Sequence, residues 1–176
     1  MSQVIAIANQ KGGVGKTTTA VNLSSALAER GYKVLVIDLD PQGNATSALG
    51  VDKHSVRYQT YDVLMNGVPI SEALQSTEIE GLDVLPTNID LTGAELELVS
   101  VMARETRLRS AIAQVRTQYD YIYIDTPPSL GLLTINSLVA SNTTLIPLQS
   151  EFFALEGLSA LINTIKIIQQ NYNKEL

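Results

Sequence analysis

Apolar residues gather in short runs that end abruptly in polar loops. The clearest are Val4-Ile5-Ala6-Ile7-Ala8, Val34-Leu35-Val36-Ile37 and Tyr121-Ile122-Tyr123-Ile124. Leu82 to Leu85, closed by Pro86, and Thr144-Leu145-Ile146-Pro147-Leu148 are weaker versions. Unbroken apolar runs of this length suit strands covered on both faces. Between them the period changes to that of a helix. Residues 17–30 place Ala20, Leu23, Ser24 and Leu27 on one face, and Gly31 is a natural stop. A helix over 104–118 buries Leu108, Ala111, Ile112 and Val115, and another is expected over 130–140. The last buries Leu158, Leu161, Ile162, Ile165 and Ile168. Short helices are expected near 61–65 and 71–74, and Thr92-Gly93-Ala94-Glu95 reads as a capping box. Residues 44–59 lack a clear period and read as a mobile loop with short helical pieces. Pro147 donates no ladder bond and marks a strand end or bulge.

Strands alternating with helices predict an α/β fold: a mostly parallel, P-loop NTPase-like sheet with helices on both faces. Ligands of such sheets bind beyond the carboxyl ends of the strands. With 176 residues, 45% of them apolar, the chain can bury the core of one domain. It has no cysteine, which excludes disulfides, thiolate metal sites and cysteine-held iron–sulfur clusters. The net charge of −6 argues against a surface that attracts nucleic acid everywhere, though not against a local basic patch. The N-terminus lacks a signal-peptide pattern and no run is long enough to cross a membrane, so a cytoplasmic protein is expected. On that reading the glycosylation-like triplets at Asn22, Asn44 and Asn142 carry no meaning. The single His54 lies in a polar, solvated stretch.

The chemistry concentrates where the first run ends. Gly12, Gly13, Val14 and Gly15 lead into Lys16, Thr17 and Thr18 at a helix start. A glycine-rich turn between strand and helix aims several N–H groups at a phosphate, and the helix terminus adds partial positive charge. Lys16 supplies a mobile cation for the outer phosphates and Thr17 a hydroxyl for magnesium. The pattern departs from the ordinary phosphate loop: Gln10 stands where glycine is usual, and Lys11 is an extra lysine that one nucleotide does not need. A cation at the rim can instead reach a phosphate held by a second copy. Asp125 ends an apolar strand and suits a carboxylate that holds magnesium through water. Asp38 and Asp40 are alternate residues at another strand end, one suited to the magnesium shell and the other to the attacking water. Arg104, Arg107 and Arg109 read as a solvated helix face. Phe152 and Phe153 read as core or interface, and Glu151 has no assigned role. A guanine-reading Asn-Lys-x-Asp motif is missing; Asn173-Lys174-Glu175-Leu176 is the nearest approach, so ATP is favoured over GTP.

Three stretches together carry a resemblance: Lys11-Gly12-Gly13-Val14-Gly15-Lys16-Thr17-Thr18, Asp38-Leu39-Asp40-Pro41-Gln42-Gly43-Asn44 and Ile124-Asp125-Thr126-Pro127-Pro128-Ser129. They closely resemble the ParA/Soj partition ATPases, a deviant Walker A group related to MinD and the nitrogenase iron protein. The nitrogenase relative needs cluster cysteines and is excluded. The resemblance implies that Lys11 crosses an ATP-sandwiched homodimer. Lys16 would hold the β- and γ-phosphates, Thr17 the magnesium and Thr18 the α-phosphate. Asp38 would support the metal from behind, Asp40 would orient or activate the hydrolytic water, and Asp125 would be the Walker B carboxylate. It further implies a slow ATPase whose dimer binds DNA without sequence preference and is discharged by a ParB-like partner.

Members of that group continue past the final helix. The chain is therefore expected to be one incomplete P-loop domain, its N-terminal two-thirds, without the region of adenine contacts and much of the DNA-binding surface. The strand near 144–148 is expected to have an open edge. Two rivals differ in class. A MinD-like ATPase needs a basic amphipathic membrane helix, and Asp40-Pro41-Gln42-Gly43-Asn44 favours the partition branch. A small-molecule kinase or ligase on the same loop would not need Lys11.

Overall fold

The computed structural model describes residues 2–150 and 154–176; Glu151, Phe152 and Phe153 lie outside the described residues. Its centre is a six-stranded sheet: β1 Gln3–Ile7, β2 Val34–Asp38, β3 Gln75–Ser76, β4 Leu82–Leu85, β5 Tyr121–Asp125 and β6 Thr143–Leu145. The spatial order is β3-β4-β2-β5-β1-β6, with β3 antiparallel to β4 and every other pairing parallel. β6 is therefore an edge strand. The helices are α1 Lys16–Ala28, α2 Asn44–Ala48, α3 Ile70–Ala73, α4 Leu91–Glu97, α5 Arg107–Ala113, α6 Leu132–Ala140 and α7 Ala154–Asn171, with a π-helical turn at Asp62–Asn66.

Period-2 alternation in the strands divides the core between two faces. Leu35, Ile37, Ile122 and Ile124 pack with Leu91, Leu98, Leu108 and Leu133 on one side. Val34, Val36, Val84 and Tyr123 pack with Ala20 and Ala28 on the other. Ala6 and Ala8 of the first run meet Leu138, Val139, Leu161 and Ile168 in a third cluster. Burial on both faces is why β2 and β5 read as unbroken apolar runs.

Several local expectations are corrected. The buried face of α1 is Lys16, Ala20, Ser24 and Ala28, while Leu23 is exposed and Leu27 only partly covered. Small residues let the helix lie close against Tyr123 and Val36, and the larger leucines are displaced to its flanks. Ile162 likewise faces outward on α7, whereas Leu161 and Ile168 are buried. The capping box is not formed: α4 begins at Leu91, because the Asp90 N–H bonds Asn88 Oδ1 (2.9 Å) and starts the turn earlier. Glu95 instead lays the end of its side chain against Gly131. The arginines stay partly solvated, with Arg109 exposed, but they also reach backbone carbonyls. Arg104 donates to the Val99 carbonyl, Arg107 to that of Leu64 (2.6 Å) and Arg109 to that of Tyr172 (3.0 Å). The last strand stops at Leu145, since the Pro147 carbonyl is taken by the Asn9 side-chain amide at 2.8 Å. Among the described residues no helix is long and apolar enough to cross a membrane.

Candidate nucleotide site

Parallel pairing in register brings the carboxyl ends of β1, β2 and β5 to one edge. Asp38 and Asp125 are direct neighbours there, and Asp125 also pairs with Ile7 at the end of β1. The chain leaving β1 turns through Gly13 (φ 74°) and Gly15 (φ 91°), left-handed conformations in which a β-carbon would be strained. Gly15 is the N-cap of α1, so the loop delivers Lys16 and Thr17 into the first helical turn. The result is a polar cleft of about 270 Å³ walled by Gly12, Gly13, Gly15, Lys16, Thr17, Thr18, Asp40, Asn44 and Pro128. Val14 packs inward, 8% exposed. Larger hollows elsewhere, such as one of about 700 Å³ walled by Gln3, Arg116, Asp120 and Glu175, lie away from this loop.

Charge in the cleft is tightly arranged. Lys16 is almost fully buried, and its Nζ donates to the Lys11 carbonyl at 3.1 Å. Burial holds its pKa below the usual lysine value, against the opposing pull of Asp125 and Asp40. The Thr17 hydroxyl donates to Asp125 Oδ2 at 2.7 Å. Asp125 has no solvent exposure, and its other oxygen, Oδ1, is buried without a hydrogen-bond partner. Asp125 is pushed up to about 7, chiefly by burial, with Asp38 and Asp40 adding to the rise and the Thr17 bond and Lys16 opposing it. Burial also pushes Asp38 up to about 6, opposed by hydrogen bonds from Thr46 and Asp40. The Asp40 carboxylate lines the cleft and accepts the Gln42 N–H at 3.0 Å. Lys11 is not a wall residue; its N–H is accepted by Asn9 Oδ1 at 2.9 Å.

These shifts predict a pH dependence. Between about pH 4 and 7 the folded chain keeps protons on Asp125 and Asp38 that the unfolded chain has released. Stability contributed by these two groups therefore falls as pH rises through that window. The Tm difference between wild type and Asp125→Asn, recorded at pH 5.5 and pH 7.5 without nucleotide, should shift in favour of the variant at the higher pH. An unchanged difference would show that Asp125 titrates normally.

A buried, unpartnered carboxylate oxygen beside a threonine hydroxyl has the chemistry to hold a cation. Among the described residues no group of three or more His, Cys, Asp or Glu side chains could hold a metal alone. That donor set fits a magnesium ion that arrives with phosphate oxygens and keeps several waters.

A family model described as AAA domain (AAA_31) matches residues 2–176. The sporulation initiation inhibitor protein Soj of Bacillus subtilis is 53% identical over 176 residues, covering 100% of this chain and 70% of that protein. The chain belongs to the ParA/Soj family of partition ATPases. Solved structures agree with that membership in fold. A Mycobacterium smegmatis protein described as cobyrinic acid a,c-diamide synthase with bound ADP and magnesium has a TM-score of 0.95 and 45% identity, covering 100% of this chain and 71% of that one. A Borrelia burgdorferi plasmid partition protein has a TM-score of 0.86 and 29% identity, covering 98% and 75%.

Sequence reasoning missed several residues that build this ParA/Soj site. Asn9, 5% exposed, ties Lys11 to Pro147. The Thr126 hydroxyl, also buried, donates to the Ile7 carbonyl at 2.8 Å and locks β5 to β1. Gln149 donates to the Gly13 carbonyl at 3.2 Å, so the segment after β6 touches the phosphate loop. Asn9 and Thr126 were findable, since each is the first polar residue after an apolar run or its terminal aspartate. Gln149 had no sequence signal.

Proposed function

We propose that this chain binds ATP with magnesium and hydrolyses it slowly as a DNA-partitioning switch. The supporting observation is the convergence of Lys16, Thr17, Asp40 and a buried, half-unpartnered Asp125 at one edge of the sheet. The names of its relatives agree: one is a chromosome-partitioning ATPase of Treponema pallidum, 47% identical over 176 residues.

On this reading Lys16 exchanges its bond to the Lys11 carbonyl for the β- and γ-phosphates, and the loop amides hold the remaining oxygens. Thr17 and Asp125 would hold magnesium, which supplies charge neutralisation on the phosphates when bound. Asp38 would support the magnesium site from beneath, and Thr18 would bond the α-phosphate. Asp40 orients the attacking water. Lys11 reaches the nucleotide of a second copy, so the charge stabilisation is complete only in a dimer. The dimer binds nucleoid DNA without reading sequence, in the cytoplasm, and a ParB-like partner triggers release.

A second reading, a small-molecule amide synthase or ligase, is favoured by the description of the Mycobacterium smegmatis neighbour. Lys11 separates the two. Sedimentation velocity with a non-hydrolysable ATP analogue and magnesium should show dimers for wild type and monomers for Lys11→Ala. Monomers of wild type at saturating analogue, or a turnover rate per chain unaffected by Lys11→Ala, would favour the second reading.

A further inference from the structure

The loop that carries Asp40 is held from beneath by a buried polar box. Asp38 Oδ1 accepts the Asp40 N–H at 3.1 Å. Asp38 Oδ2 accepts both the Thr46 N–H (2.8 Å) and the Thr46 hydroxyl (2.7 Å). That hydroxyl in turn accepts the Thr87 N–H at 3.0 Å, just beyond β4. The Thr60 hydroxyl lies 3.0 Å from the carbonyl oxygens of Asp38 and Pro86. Asp38, Thr46, Thr60 and Thr87 have no solvent exposure. The loop also lies close against the chain beyond β4. Gly43 has φ 63°, and a β-carbon there would stand 2.7 Å from the Thr87 carbonyl oxygen. On the outer side Lys53 Nζ donates to the Gln42 carbonyl at 2.7 Å.

We propose that Thr46 is a positioning residue for hydrolysis: its hydroxyl clamps Asp38 to the end of β4, and Asp38 thereby fixes the main chain of Asp40. Thr46 does not line the cleft, so it acts on the reaction only through Asp38 and the 40–44 loop. A single hydroxyl both donates to the carboxylate and accepts the Thr87 amide. Removing it leaves one buried N–H unpaired and releases one bond to the carboxylate. Valine preserves the volume and β-branching while deleting both bonds, and serine preserves both bonds while deleting a methyl. The inference rests on the reading above in which Asp40 serves ATP hydrolysis. That dependence is checked by running Asp40→Ala in parallel.

The test measures kcat and KM for magnesium–ATP, together with amide hydrogen exchange at Asp40, all well below each variant's Tm. Thr46→Val should lower kcat at least tenfold, leave KM within about twofold, and speed exchange of the Asp40 amide. Thr46→Ser should stay within about threefold of wild type in kcat. If Thr46→Val does not fold, Thr46→Ala against Thr46→Ser reads the same contrast. A Thr46→Val with a lower Tm but wild-type kcat, while Asp40→Ala has lost turnover, overturns the inference and leaves the Asp40 reading standing. Wild-type turnover in Asp40→Ala would overturn both.

Discussion

Lys16→Ala should abolish nucleotide binding at concentrations that saturate the wild type. The lysine is almost fully buried, and its ammonium is held at the floor of the cleft by the Lys11 carbonyl, close enough to Asp125 and Asp40 for their charge to act on its pKa. Phosphate oxygens would replace one neutral acceptor by charged ones, and each charge-assisted bond is worth about 1.5–3 kcal/mol. Losing two costs about 3–6 kcal/mol, a fall in affinity of roughly 10²–10⁴. The change also removes the cation that opposes the raised pKa of Asp125, so that carboxylate is less available to a metal. Thermal stabilisation by magnesium–ATP reads this simply. At a hundredfold excess over Kd the wild type should gain about 2.7 kcal/mol, or roughly 5–10 °C in Tm for a domain of this size. Lys16→Ala should gain at most about 0.4 kcal/mol, since that concentration only equals Kd once affinity falls by 10². A wild-type shift in the variant would show that the nucleotide sits elsewhere.

Asp40→Ala should separate binding from turnover. Its carboxylate faces the cleft, and among the described residues its side chain accepts only the Gln42 N–H, within its own loop. Removing a group that orients or activates water lowers turnover by about 10²–10⁴. Affinity for the nucleotide should be unchanged or slightly improved, because a negative charge leaves the phosphate site. Single-turnover hydrolysis beside equilibrium binding checks both halves. A variant that loses affinity and turnover equally would make Asp40 a structural residue of the loop.

How far this site was legible depends on where each residue lies. The phosphate loop, Asp38 and Asp125 stand at the junction between an apolar run and a polar turn, and parallel register makes such junctions converge. Strand–helix alternation was enough to predict the sheet and the edge that carries them. Burial within helices was less legible, since Leu23 and Ile162 satisfy the helical period but not the local packing. Hydrophobic spacing names a face, and only the neighbouring sheet decides whether small or large residues touch it. The two-residue β3 is too short to show any period. The way the 40–46 stretch is held was not legible, for a different reason. Its order comes from hydrogen bonds among Asp38, Thr46, Thr60 and Thr87, which are separated by up to 49 residues (38 to 87) and leave no periodic trace. A polar residue at zero exposure looks, in sequence, like any loop threonine.

The most direct measurement is a calorimetric titration of the wild-type chain with a non-hydrolysable ATP analogue at pH 7.5, with and without magnesium. The arrangement of Lys16, Thr17 and Asp125 predicts one nucleotide per chain and at least tenfold weaker binding once magnesium is removed. Binding that ignores magnesium, or no binding at all, would contradict it.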